Sequence, residues 1–302
     1  MRSIGTGGPA PAPPPSAFDK NGCLPKSEVS NGCCNSAVTG PVFSQGFCCY
    51  SFPKNAPCCG RPLSVGGEAR MADVVPGSAW SMELDVSAAP DALAAAEWLE
   101  DARMEHASIA SFSRFTLDLL ALGAPPDLVH ASGEAMLDEV RHAKLCFALA
   151  ERFGGAPVEP GPLAMGDVSA KRSLATIVRD AVVEGCIGET LAAVVAAAQH
   201  AASTDAAAQA ALSVIRDDES CHAELAFRFV RWAIERFGDP AREAAAEGFA
   251  LARPIRGDDE SASPSAGVTR AAGRLSAEER SGVIADAWTR VVEPLADHLL
   301  AG

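Results

Sequence analysis

The sequence predicts an all-α protein built on an antiparallel four-helix bundle, with a small irregular Cys-rich module before it and extra helices after it. Three observations carry that prediction. Apolar residues make up 48% of the chain but aromatic residues only 6%, an Ala-rich balance that suits closely packed helices. Between residues 90 and 238, four long stretches repeat apolar residues at helical intervals and are punctuated by Gly and Pro. The two halves of that region read as one helical hairpin written twice, each ending in Glu-Arg-Phe-Gly (Glu151–Gly154 and Glu235–Gly238).

In chain order, residues 1–22 are a Pro/Gly/Ser-rich tail expected to be disordered, with a short extended run at Pro9–Pro15. Residues 23–89 form the Cys-rich module. Within it, Gly66-Gly67 between two short extended runs reads as the turn of a small hairpin. The bundle spans 90–238. Its first helix runs over about 90–122, opened by Pro90 in the first turn and ended by Gly123-Ala124-Pro125. The second runs over 126–153 and stops at Gly154-Gly155. A loop with Pro157, Pro160 and Pro162 crosses to a third helix over 172–202. Ser203-Thr204-Asp205 caps a fourth over 206–237. Residues 239–302 hold a shorter helix to about Leu251, a Gly/Ser/Asp linker over 254–275, and a last helix opened by the capping box Ser276 to Glu279. Short turns within each hairpin and a longer loop between them suit the antiparallel arrangement.

The bulk properties narrow the function. A formal charge of −14 argues against nucleic-acid binding. No uninterrupted run of 18 apolar residues occurs, so no transmembrane segment is expected. Seven of the ten cysteines are Cys23, Cys33, Cys34, Cys48, Cys49, Cys58 and Cys59. Such density predicts a disulfide framework and favours an extracytoplasmic location. The apolar core of a signal peptide is not visible at the N-terminus, and reduced cysteines would instead place the chain in the cytoplasm. Seven is odd, so one of them is free or pairs outside the segment. No C-x-x-C pair supports a zinc ribbon or a rubredoxin-type iron site.

The chemistry lies in a doubled pattern. Glu105 precedes Glu139 by 34 residues, and Glu139 and His142 read E-x-x-H; Glu184 precedes Glu219 by 35, and Glu219 and His222 read E-x-x-H again. Neighbours three, four and seven residues away share a helical face. Around Glu105 that face carries Trp98, Ala102, Ile109 and Phe112; around Glu219 and His222 it carries Leu212, Ile215, Ala226 and Phe229. Each candidate ligand therefore faces the core. Unpaired buried carboxylates cost several kcal/mol each, so four of them call for cations, and two divalent ions neutralise the set. Carboxylates with one imidazole per ion suit iron or manganese. A single E-x-x-H is common on helices and usually holds no metal; the doubling is what makes a two-metal site the better reading.

Four further readings complete the set. Asp138 and Asp218, next to the ligand glutamates, are placed to hold the histidine of the opposite helix in one tautomer. Glu189 lies five residues after Glu184, about 140° around an α-helix, and becomes an extra ligand only if a π-bulge distorts that helix. Cys146, Cys186 and Trp98 read as core residues, and His106 as pointing away from the site. The sole Tyr, Tyr50, lies outside the bundle, which argues against a tyrosyl radical there.

At Asp138 to His142 the chain resembles the D-E-x-R-H motif of ribonucleotide reductase small subunits and bacterial multicomponent monooxygenases. More broadly, residues 90–238 resemble the ferritin-like superfamily, and the whole chain is similar to bacterial ferritin-like proteins with a Cys-rich N-terminal extension. The resemblance implies two Fe, or alternatively Mn, per chain. The implied ligands are Glu105, Glu139, His142, Glu184, Glu219 and His222, and no catalytic residue is implied beyond them. The second copy departs from the motif, with Cys221 where Arg is usual. The expected activity is that of an oxidoreductase that activates O2 or peroxide and acts with an unknown small substrate or reductant. A ferroxidase or iron-handling role, or a structural metal-binding protein of the cell surface, are the alternatives. A homo-oligomer is compatible with all three. Some 90 residues before the bundle and 60 after it would hinder closure of a storage cage.

Overall fold

In a computed structural model of the protein, residues 39–44, 47–51, 61–65, 68–84, 88–166, 172–251 and 270–301 are described, the first two segments as backbone alone. They form a mostly helical, all-α molecule with three small two-stranded sheets among the described residues. The expectations for the 1–22 tail and for Cys23, Cys33, Cys34, Cys58 and Cys59 lie outside these residues, as does the 254–269 stretch of the linker.

Strands β1 (Thr39–Ser44) and β2 (Phe47–Ser51) pair antiparallel, with Cys48 opposite Phe43 and Cys49 opposite Val42. The expected hairpin is present as β3 (Ser64–Val65) against β4 (Glu68–Ala69). It is seated on the first long helix, α1 (Ala92–Leu122): the Leu63 amide donates to the Ala107 carbonyl, and Arg103 Nε donates to the Ala72 carbonyl at 2.9 Å. The Pro-containing stretch after the second helix is more than a loop. There β6 (Val158–Pro160) pairs with β5 (Val74–Pro76), and Glu159 accepts a hydrogen bond from the Ala79 amide. That pairing joins two segments far apart in the chain, Val74 opposite Pro160 and Pro76 opposite Val158, which no local pattern encodes.

The long helices follow the sequence closely. Helix α1 is capped by Asp91, whose carboxylate accepts from the Leu93 and Ala94 amides, and it ends on Gly123 in the left-handed conformation. Helix α2 spans Pro126–Arg152. Next, one helical rod runs from Leu174 to Ala202: α3 (Leu174–Asp180), a π-helical stretch (Ala181–Glu189) and α4 (Thr190–Ala202). Helix α5 spans Ala206–Phe237, capped by Asp205. Helix α1 packs on α2, the Leu174–Ala202 rod packs on α5, and α2 faces α5. Helix α6 (Asp239–Leu251) covers α3, and α7 (Ala277–Ala287) covers α4; a short π turn follows α7 and leads into α8 (Glu293–Ala301).

The Leu174–Ala202 rod is long and apolar enough to cross a membrane, although it contains no 18-residue run free of polar residues. Its apolar stretch is 67% buried inside the molecule, as a core helix would be.

The core divides into two apolar clusters along the helix axes. One holds Phe112, Phe115, Ile187, Leu191, Ala226 and Phe229; the other holds Trp98, Cys146, Phe147, Leu149, Leu212 and Ile215. Glu105, Glu139 and Glu219 sit along their helices between the residues of these two clusters.

Candidate metal centre

Six side chains meet between the two clusters. Ligand atoms of Glu105, Glu139, His142 and Glu219 lie within 4.8 Å of one another, and so do those of Glu139, Glu189, Glu219 and His222. Glu139 and Glu219 belong to both groups. Each group adds one carboxylate and one imidazole of its own. His142 Nδ1 lies 3.8 Å from Glu105, 3.7 Å from Glu139 and 3.6 Å from Glu219. His222 Nδ1 lies 3.2 Å from Glu139 and 3.3 Å from Glu219. Except for Glu105, which keeps slight exposure, these side chains are almost wholly buried.

The tautomers are set from outside. His142 Nε2 is 2.8 Å from Asp218, and His222 Nε2 is 3.3 Å from Asp138. Each aspartate comes from the helix opposite its histidine, as the sequence led us to expect. In the neutral imidazole, a proton kept on Nε2 by the aspartate leaves the Nδ1 lone pair free on the carboxylate side. Arg141 ties the pair together, donating to Asp138 at 2.7 Å and to Asp218 at 2.6 Å.

The sequence expectation for the third helix is corrected. Glu184 is not among the six, and Glu189 is. The cause is the π-helical stretch that ends at Glu189. Its i→i+5 ladder brings residues five apart close to alignment, which an α-helix does not do. Glu184 meets α1 instead: Arg114 donates to its two oxygens at 3.1 and 3.2 Å, Ser111 donates at 3.0 Å, and Arg61 lies 3.7 Å away. On another side of the rod, Gly185 lets the π-helical stretch pass close to α5, because a Cβ there would stand 2.5 Å from the Ala226 methyl.

The electrostatics of the two glutamates differ accordingly. Glu184 is neutralised by arginine. Among the described residues, no Lys or Arg is paired with Glu105, Glu139, Glu189 or Glu219, and the only cation-forming groups among them are the two imidazoles. Burial, then the charge of Glu139, pushes the Glu105 carboxyl well above the ordinary range; burial, then Glu219, does the same to Glu189. For Glu139, burial acts upward but is outweighed by contacts with His142 and His222, which hold it low. Burial pulls both histidines down, yet hydrogen bonds to Asp218 and Asp138 and the nearby glutamates leave them well above their ordinary value.

Three polar atoms of the cluster are orphaned. Glu139 Oε2, Glu189 Oε1 and His142 Nδ1 are buried without a hydrogen-bond partner. Such atoms are rare unless an ion or ordered water serves them. A donor set of four carboxylates and two imidazole nitrogens suits hard or borderline divalent ions.

The remaining candidates fall where the sequence reading put them. Trp98 is buried, donates from Nε1 to the Ala272 carbonyl and carries Arg274 over its ring. His106 stands edge-on to Trp80, outside the six. Cys146 and Cys186 are free and buried, and burial pushes both thiols up; Cys221 is free and exposed. Arg114 and Arg61 were not singled out from sequence. The available signal for Arg114 was a charged residue amid Phe112, Phe115 and Leu119, on the buried face of α1. Comparison with protein-family models, curated proteins and solved structures finds no match.

Proposed function

We propose that the chain is a ferritin-like four-helix bundle that holds a dinuclear iron or manganese centre and works as an O2- or peroxide-activating oxidoreductase on a small substrate. One observation carries the reading: four inward carboxylates without a Lys or Arg partner among the described residues, two of them shared between two sets that each end in one imidazole. Four carboxylates bring −4 and two divalent ions +4, so the pair of ions removes the burial penalty that the bare cluster faces. Glu105, Glu139, His142 and Glu219 would hold one ion, and Glu139, Glu189, Glu219 and His222 the other. This ligand set is that of ferritin-like carboxylate proteins.

When bound, the ions supply the electrons that reduce O2 or peroxide. The chain supplies the surroundings. Asp138 and Asp218 keep each Nδ1 available as a ligand. The apolar clusters on either side exclude bulk water. Glu105 is the least enclosed of the six, which marks its side of the site for access by small molecules. Helices α6 and α7 cover the outside of the Leu174–Ala202 rod, and added cover of this kind would hinder the close subunit packing of a storage cage. This favours an oxidoreductase over iron storage.

Anaerobic Fe(II) loading of the intact protein is the test. Two irons per chain are expected, with Glu139→Ala and Glu219→Ala each reducing binding. One iron or none on folded protein refutes the centre. Catalytic O2 or peroxide turnover with an added reductant supports the oxidoreductase; retention of hundreds of irons per assembly on repeated additions would replace it with storage.

A further inference from the structure

The third helical rod carries two glutamates five residues apart, and only one of them belongs to the six. In an α register, Glu184 would occupy the place that the sequence repeat assigns it, with Glu189 turned about 140° away. In the structure the rod is π-helical over Ala181–Glu189, and the roles are exchanged. Something must select this register, because an extended π stretch is rare and its ladder is less favourable than the α ladder it replaces.

Glu184 is held by buried contacts from outside the rod. Arg114, 9% exposed, spans from the Ser64 carbonyl of the hairpin to both oxygens of Glu184. Ser111 donates to the same carboxylate. Arg61, 2% exposed, lies over the rings of Phe112 and Phe115 at 4.6 and 4.4 Å, with its Nε 3.7 Å from Glu184. Beyond them, Arg172 pairs with both Asp118 and Asp180. Glu184 therefore has buried cationic partners that it would have to abandon to turn toward the six. Two of these contacts come from the segment before the bundle, so that segment helps to fix the register of a core helix.

We propose that Arg114, assisted by Arg61 and Ser111, is a positioning residue for Glu189: by anchoring Glu184 it holds the π register that presents Glu189 to the second ion. The proposal rests on the dinuclear reading and extends it to residues that touch no metal.

The test uses the full chain, prepared anaerobically and titrated with Co(II), followed by absorption. The wild type should fill in two steps. Glu189→Gln should lose the second step. Arg114→Leu and Glu184→Gln should leave the first step unchanged and weaken the second by about tenfold or more, the usual scale for residues that support a ligand. General destabilisation would weaken both steps together and would overturn the proposal. So would an intact second step in both variants, or two ions retained by Glu189→Gln. If the wild type binds no metal, the dinuclear reading fails separately. The anchor is then judged by hydrogen exchange in metal-free protein: Arg114→Leu should speed exchange of amides 184–190, and unchanged exchange overturns it.

Discussion

Replacing Asp218 by Asn should weaken the ion held by His142 more than any comparable change should weaken its twin. Asp218 lies 2.8 Å from His142 Nε2 and accepts from Arg141 at 2.6 Å. The Arg141 contact, after His142 and against burial, holds its carboxyl below the ordinary range. Asn keeps the shape but loses the charge, and its amide can donate to Nε2. A donor there drives the imidazole proton onto Nδ1, the atom the ion needs. Changes of this kind cost about 10- to 100-fold in metal affinity, or about 1.4–2.7 kcal/mol. Asp138→Asn makes the same change at His222, where the contact is 3.3 Å, so the loss there should be smaller. Co(II) titration against a competing chelator measures both. Affinities equal to wild type in both variants, or a larger loss in Asp138→Asn, would refute this reasoning.

Other outcomes follow from the same geometry. Metal-free protein should lose stability as pH rises from about 5 to 8. Glu105 and Glu189 titrate above their usual 4.5, and His142 and His222 above 6.5, so the folded state binds more protons than the unfolded state across that window. Glu139 is shifted the opposite way, and its contribution is lost only in stronger acid. Thermal melts at several pH values check this; with metal bound the trend should reverse, because the ligands must be deprotonated. Gly185→Ala should destabilise the fold by about 1–3 kcal/mol, because the new methyl meets Ala226 in a packed core. Urea unfolding measures it, and a neutral result would mean that the π stretch shifts freely. In native protein, alkylation with peptide mapping should label Cys221 but spare Cys146 and Cys186, which burial also keeps as neutral thiols.

The long helices were legible because local chemistry states their ends. Gly123 adopts the left-handed conformation after α1, and Asp205 caps the start of α5; at the start of α1 the cap is Asp91, so Pro90 stands just before the helix and not in its first turn. Five of the six clustered side chains were legible for a related reason: in α1, α2 and α5 the register is the α register, so spacing predicts facing. The sixth failed where that assumption failed. Choosing Glu189 over Glu184 depends on Arg114 and Arg61, which approach from α1 and from the segment before it, and on the fit of Gly185 against α5. These are tertiary contacts that no helical period reports. The β5–β6 pairing escaped notice for the same reason, being a meeting of short segments distant in sequence.

The most direct measurement is anomalous diffraction at the iron edge on crystals loaded anaerobically with Fe(II). Two peaks are expected about 3.5–4 Å apart, one beside His142 Nδ1 and Glu105 and the other beside His222 Nδ1 and Glu189, with Glu139 and Glu219 between them. A single peak, or iron coordinated by Glu184, would contradict this arrangement.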